Sequence, residues 1–181
     1  AAAIHPILGE TSTKIVEKVP VLLALHGTGV SASSSADSYK YKKKQTAKDY
    51  TFGIEGFWVL APTRHGAHNW EGIGKNTAMS ALRALSDLTK SMQPRADSEN
   101  VIFVGHSMGA HGAWILGQSF PDLALAVIPQ AGWTTKEPYG DSNTLFLHDL
   151  QSSFLDSKLK SIIQSTVDDN GCELHVSNLK G

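Results

Sequence analysis

The chain has 181 residues, 41% of them hydrophobic, and a formal net charge of −1 at pH 7. This composition is that of one globular domain over residues 1–181, with no strong field towards nucleic acid or an anionic membrane. No apolar run is long enough to cross a bilayer, so a membrane span is not expected either.

Two features bear on the compartment of the protein. A single cysteine, Cys172, excludes an internal disulfide and favours a cytoplasmic, reducing environment. The first residues lack the basic start and apolar core of a signal peptide. Because the chain opens on Ala1 rather than on methionine, we expect that upstream sequence has been removed.

The first strong element is the continuous apolar run at residues 20–25, which predicts a strand buried on both faces of a parallel sheet. It leads into His26-Gly27-Thr28-Gly29, a loop that can offer backbone N–H groups to a ligand. A flexible connection with no role is the alternative interpretation. The Ser-rich stretch that follows, residues 31–35, is interpreted as a loop.

A basic cluster comes next, in which lysines alternate with tyrosines. We predict a solvated helix face here rather than a nucleic-acid patch. The residues concerned are Lys40, Lys42, Lys43, Lys44 and Lys48 with Tyr39, Tyr41 and Tyr50.

Residues 56–62 predict a second strand, and the loop after it holds two histidines and a glutamate, His65, His68 and Glu71. A metal site is not expected, because Gly66 breaks the spacing and no zinc signature is matched. We interpret the loop as a wall of a substrate pocket, with a hydrogen bond from Asn69 and apolar contact from Trp70. A plain surface loop is an equal alternative.

The next helix is predicted from an apolar stripe that ends before Pro94; its residues are Ala78, Leu82, Leu85, Leu88 and Met92. A turn at residues 95–100 leads into a strand at 101–104, a helix at 110–120 and a strand at 123–129. Alternating strands and helices predict an α/β fold, a three-layer α/β/α sandwich around a mainly parallel sheet with right-handed crossovers.

Residues 105–109 read Gly-His-Ser-Met-Gly and lie between a predicted strand and a predicted helix. A sharp turn at this place holds a hydroxyl clear of the backbone, so Ser107 is the candidate nucleophile. Acyl transfer places negative charge on a carbonyl oxygen, and the amides of Thr28 and Met108 are the candidate donors to it. An ordinary Gly-rich turn is the alternative.

These two motifs, with the Gly-Ala-Trp helix after the second, resemble the α/β-hydrolase superfamily over residues 19–133. The resemblance is closest to esterases and to prolyl-oligopeptidase-like, peptidase S9-type, catalytic domains. It implies an α/β-hydrolase fold, here incomplete, and the chain order nucleophile, acid, histidine.

The remaining triad residues are open between two solutions. An internal triad takes Asp149 after a strand at 144–147 and His175 from a last strand region at 172–176; His111 lies too close to Ser107 in sequence to fold back onto it. The resemblance favours the other solution, in which the acid and histidine come after Gly181. Residues 134–181 are then a peripheral or helical excursion.

We therefore expect a serine hydrolase that forms an acyl-enzyme on an ester or peptide bond, without a cofactor or metal. Its substrate is a small molecule or a peptide. Substrate contacts are assigned to His26, Gly27, His106, Asn69 and Trp70. The rival functions are an inactive binding module with the same fold and an acyltransferase with the same nucleophile.

Overall fold

The structure is a computed structural model that describes residues 1–8, 16–42, 49–66, 68–135 and 156–179. Its strands are β1 (Ala2–Ile4), β2 (Lys18–Leu25), β3 (Lys40–Tyr41), β4 (Thr51–Phe52), β5 (Trp58–Ala61), β6 (Arg95–His106) and β7 (Ala124–Gln130). Its helices are α1 (Ala32–Asp37), α2 (Ile73–Leu88), α3 (Met108–Ser119) and α4 (Ser157–Asp168). Short 3₁₀ turns cover Pro121–Leu123, Cys172–Leu174 and Val176–Leu179.

The central sheet has the strand order β1-β5-β2-β6-β7. The strands β5, β2, β6 and β7 pair in parallel, and β1 pairs with β5 in the antiparallel sense. Parallel strands need crossover connections, and the helices lie in them: α1 between β2 and β5, α2 between β5 and β6, and α3 between β6 and β7. The predicted fold class, a mainly parallel sheet between helical layers, is confirmed.

The strand β2 lies at the centre of the sheet and is buried on both faces, as its apolar run predicts. Leu23 and Leu25 pack on the face covered by α2 and α3, with Phe103, Leu82 and Leu116. On the other face Leu22 and Ala24 pack with Ala32 and Ala36 of α1. A continuous apolar run is what a strand needs when neither of its faces meets water.

The expectation of a turn at residues 95–100 is wrong, because β6 begins at Arg95. Residues 95–97 pair with residues 18–20 of β2, and a register shift follows between Pro20 and Val21. The predicted stripe of α2 also extends too far: the helix ends at Leu88, and Met92 lies beyond it with 40% of its surface exposed. Pairing across the sheet outweighs the polar composition that predicts a turn.

Two further expectations are corrected near the amino-terminal third of the chain. The Ser-rich stretch begins α1, because Ser31 Oγ accepts the N–H of Ser34 at 3.0 Å and caps the helix. The basic cluster is not a helix face where it is described, since Lys40 and Tyr41 pair with Phe52 and Thr51 as the hairpin β3-β4. Lys43, Lys44 and Lys48 lie outside the described residues.

The expected last strand region at residues 172–176 is also wrong, because this stretch forms 3₁₀ turns. The N–H of His175 donates to Cys172 O at 3.2 Å, and the N–H of Asn178 donates to His175 O at 3.0 Å. These local bonds leave no edge for strand pairing there. The strand expected at residues 144–147 lies outside the described residues.

At one edge of the sheet β7 pairs with β6 alone among the described strands. Its Leu125 and Ile128 are 53% and 41% exposed.

Within the described ranges, no helix has the length and apolar character needed to cross a membrane.

Candidate active site

Ser107 forms the turn between β6, which ends at His106, and α3, which begins at Met108. Its backbone has φ 57° and ψ −122°, in the left-handed half of conformational space that residues with a Cβ avoid. The N–H of Ser107 donates to Gln130 O at 2.9 Å, and its carbonyl accepts the N–H of Ala110 at 2.9 Å. The turn is therefore held from β7 on one side and by the first turn of α3 on the other.

The glycines on either side of Ser107 are required by close backbone crossings. A Cβ on Gly109 would overlap the carbonyl of Leu25 at the end of β2, and a Cβ on Gly105 would overlap the carbonyl of Gly109. Both contacts are with backbone atoms, which cannot move aside as a flexible side chain can. The Gly-x-Ser-x-Gly spacing is thus the spacing at which α3 crosses β2 and β6.

Gly27 lies directly against this turn. A Cβ built on Gly27 would stand 3.4 Å from Ser107 Cβ and 3.9 Å from Ser107 Oγ. The next residue, Thr28, is exposed, and its hydroxyl contacts Met108 Sδ at 3.9 Å. The structure therefore brings Gly27 and Thr28 against Ser107 and Met108, a pair that lies 80 residues later in the sequence.

The amide of Met108 is the first of α3, so no carbonyl within the helix is available to accept its N–H. The carbonyl of Gly27 accepts two bonds, from His26 Nδ1 at 3.1 Å and from the N–H of Val30 at 3.4 Å. An anionic oxygen near Ser107 would meet the amino-terminal end of α3, where the helix dipole is positive.

The hydroxyl of Ser107 has no hydrogen-bond partner within the described residues. His26 is 7% exposed, and its Nε2 is buried without a partner in the same part of the chain, whereas His106 is exposed. The histidine adjacent to the turn in α3, His111, is engaged elsewhere: its Nε2 lies 2.8 Å from Glu71 Oε1.

The structure does not bring His175 to Ser107. His175 lines a cleft of about 310 Å³ with Gln118 and Ser119, at the carboxyl end of α3. Ser107 caps the other end of this 12-residue helix, about 18 Å away at 1.5 Å per residue. Asp149, the other member of the internal solution, lies outside the described residues.

The loop after β5 is predicted to form a wall of the substrate pocket, and the structure contradicts this for Trp70. Trp70 is 0% exposed, so its side chain is part of the core rather than a wall open to substrate. Asn69 is half-buried. The apolar contact assigned to Trp70 is therefore corrected: its large ring is buried beneath the site instead of lining it.

Within the described residues no group of three histidine, cysteine, aspartate or glutamate side chains could hold a metal ion. His68 accepts the N–H of Trp70 on Nδ1 at 3.1 Å. Burial, and then the nearby Arg64, lower the pKa of His68 from its usual range, which favours the neutral ring that this bond requires.

A buried polar group that sequence reasoning missed lies behind the site. His111 is 0% exposed, and its Nδ1 lies 3.1 Å from Trp133 O while its Nε2 faces Glu71. The rings of His111 and Trp133 stack at 4.6 Å. Glu71 and His111 are separated by 40 residues, so no local pattern could pair them.

Cys172 completes an arrangement that superficially resembles a thiol triad, with Sγ 3.7 Å from His111 Nδ1. Burial, then the charges of Glu173 and Glu71, raise the pKa of Cys172 to about 12. A thiol of that pKa stays protonated at neutral pH, and only the thiolate is a good nucleophile. Cys172 is therefore a packing residue of the core.

No protein-family model matches the chain. A curated relative, named "Uncharacterized secreted protein" from Arthroderma benhamiae, is 30% identical over 131 residues, which are 67% of this chain and 13% of that protein. The chain thus spans a small part of this relative. The cytoplasmic location that the sequence favours is untested and stays a prediction.

Three solved structures are similar over most of the chain. They are esterase B from Lactobacillus rhamnosis (16% identity, 88% of this chain and 53% of that one, TM-score 0.43), S-formylglutathione hydrolase from Staphylococcus aureus (11%, 98% and 66%, 0.49) and acylaminoacyl peptidase from Pyrococcus horikoshii (17%, 97% and 27%, 0.47). Since each likeness is partial, the fold class of this chain rests on its own strand order.

Proposed function

We propose that the chain is a serine-hydrolase domain of α/β-hydrolase type, with Ser107 as the nucleophile of an acyl-enzyme. One observation carries the proposal. Ser107 adopts φ 57° on a strand-to-helix turn, with Gly27 of a second strand-end loop packed against it. A conformation that costs about 1–3 kcal/mol persists where surrounding structure enforces it, and such sites cluster at catalytic centres.

The proposed chemistry follows from the groups around Ser107. The hydroxyl attacks the carbonyl carbon of an ester or peptide bond, its proton passes to a base, and the carbonyl oxygen becomes an oxyanion. The amides of Thr28 and Met108 are the proposed donors to that oxyanion, supported by the amino-terminal end of α3. Collapse of the tetrahedral species expels the alcohol or amine, and water then releases the acid from Ser107.

The test is covalent labelling of the intact protein with a serine-directed fluorophosphonate, with the modified residue located by peptide mass spectrometry. Ser107→Ala should abolish the label and reduce turnover of an activated ester by about 10⁶. Ser80→Ala, an exposed serine on α2, is the matched control and should label like the parent.

Each alternative function has its own outcome. A wild-type protein that is folded but never labelled would be a binding module that retains the fold. A protein that labels at Ser107 but passes its acyl group to an added alcohol or amine in preference to water would be an acyltransferase.

A further inference from the structure

We propose that Trp70 is a positioning residue for the loop His26-Gly27-Thr28, which it holds in the orientation that acyl transfer at Ser107 requires. This inference rests on the proposed function and deepens it. The central contact is a hydrogen bond in which Trp70 Nε1 donates to His26 O at 3.1 Å. Trp70 is 0% exposed and His26 is 7% exposed, so water does not compete for this bond.

Trp70 fits tightly between the loop and the nucleophile helix. A Cβ on Gly112 of α3 would stand 2.6 Å from Trp70 Cβ and 2.7 Å from Cγ, so only glycine leaves room for the ring. The ring also meets the His26 ring edge-on, with centroids 5.3 Å apart and an interplanar angle of 82°. The indole is thus a wedge between α3 and the end of β2.

The backbone that carries the wedge is itself strained. Asn69 has φ 50° and Trp70 has φ 65°, two successive residues with side chains in the left-handed region. Bulky residues seldom adopt this conformation, and the cost has to be met by the surrounding contacts. The bond from Trp70 N–H to His68 Nδ1 is one of these contacts.

Glu71, the residue after Trp70, ties the loop between β5 and α2 to the helix α3. Glu71 Oε1 lies 2.8 Å from His111 Nε2, and the N–H of His111 donates to Ser107 O at 3.3 Å. Because His111 Nδ1 donates to Trp133 O, the ring cannot turn without losing both contacts. The wedge is therefore anchored to the turn that carries the nucleophile.

The consequence for the loop follows from the planarity of the peptide bond. A carbonyl and the N–H of the next residue point in opposite directions within one plane. Holding His26 O therefore orients the N–H of Gly27, and the two bonds to Gly27 O orient the N–H of Thr28. Trp70 fixes the first plane directly. Its edge-on contact with the His26 ring also supports the bond from His26 Nδ1 to Gly27 O, which orients the second plane and with it the N–H of Thr28.

The test is Trp70→Phe, which keeps a buried aromatic ring but removes the indole N–H. Trp58→Phe is the matched control, because Trp58 is 4% exposed and its Nε1 donates to Pro94 O at 3.0 Å, away from Ser107. In the intact protein, Trp70→Phe should lower kcat for an activated ester, and the rate of Ser107 phosphonylation, by about 10- to 100-fold. Its KM should stay within about twofold, and Trp58→Phe should leave kcat unchanged at a similar loss of thermal stability.

Amide hydrogen exchange separates failure of this inference from failure of the proposed function. Exchange at Val30, whose N–H donates to Gly27 O at 3.4 Å, should accelerate in Trp70→Phe and stay unchanged in Trp58→Phe, whether or not Ser107 is reactive. If wild-type Ser107 is never labelled, the proposed function fails, and exchange still tests the positioning role.

Equal kcat and equal exchange at Val30 in the two variants would overturn the inference. If Trp70→Phe does not fold, 3-benzothienylalanine at position 70 replaces the N–H by sulfur within the same bicyclic shape, and the same outcomes apply.

Discussion

Replacing Ser107 by glycine should make the protein more stable than replacing it by alanine. At most positions the glycine variant is the less stable of the two, because glycine loses more backbone entropy on folding. Both substitutions remove the hydroxyl, so neither retains the proposed nucleophile. They differ in the Cβ, which at φ 57° and ψ −122° is the source of steric strain. The comparison therefore isolates the backbone strain at the turn.

The magnitude can be worked from two opposing effects. A residue with a Cβ in a sparsely populated backbone region costs about 1–3 kcal/mol. Glycine removes this strain, but it also increases the conformational entropy of the unfolded chain, which lowers the free energy of unfolding by about 0.4–1 kcal/mol relative to alanine. The net advantage of Ser107→Gly over Ser107→Ala is thus about 1 kcal/mol, or roughly 2–4 °C in Tm for a domain of this size.

The control is the same pair of substitutions at Ser80, an exposed residue within α2. In a helix, glycine is less favourable than alanine by about 1 kcal/mol, so the order of the two variants should reverse. Thermal unfolding followed by circular dichroism gives the Tm of all four variants, and denaturant titration at 25 °C gives their free energies of unfolding. The reasoning is refuted if Ser107→Ala is as stable as Ser107→Gly or more stable.

Two further predictions concern the packing around the site. Gly109→Ala should destabilise the fold by at least about 3 kcal/mol, because its Cβ meets the backbone of Leu25. The control Gly66→Ala, with open space around it, should cost only about 1–2 kcal/mol for its positive φ. Similar denaturant midpoints for the two variants would contradict this. Cys172, with its pKa raised by burial to about 12 from 9.0, should react with a thiol reagent at pH 8 only after unfolding. Because the unfolded thiol ionises first, stability should fall as the pH rises from about 9 towards about 12, and Cys172→Ala should lack this part of the loss. Rapid labelling of the native thiol, or identical pH profiles, would count against it.

Local sequence determined the elements whose signals lie within a few neighbouring residues. The apolar run that becomes β2 and the strand-turn-helix around Ser107 are of this kind, since strand burial and tight turns are written in adjacent residue types. The glycines at 105 and 109 belong to the same local motif, and a Cβ at either place would overlap backbone. The three-layer class followed from the alternation of such elements.

Only the tertiary structure decided which distant residues meet. Residues 95–97 joined β6 because residues 18–20 offered a strand to pair with, and Trp70 was buried because Gly112 left space for it. The Glu71–His111 contact joins a loop to a helix 40 residues away, and His175 was placed at the far end of α3 from Ser107. Long-range pairing and side-chain packing depend on the whole chain closing on itself, and a local pattern of residue types does not contain that information.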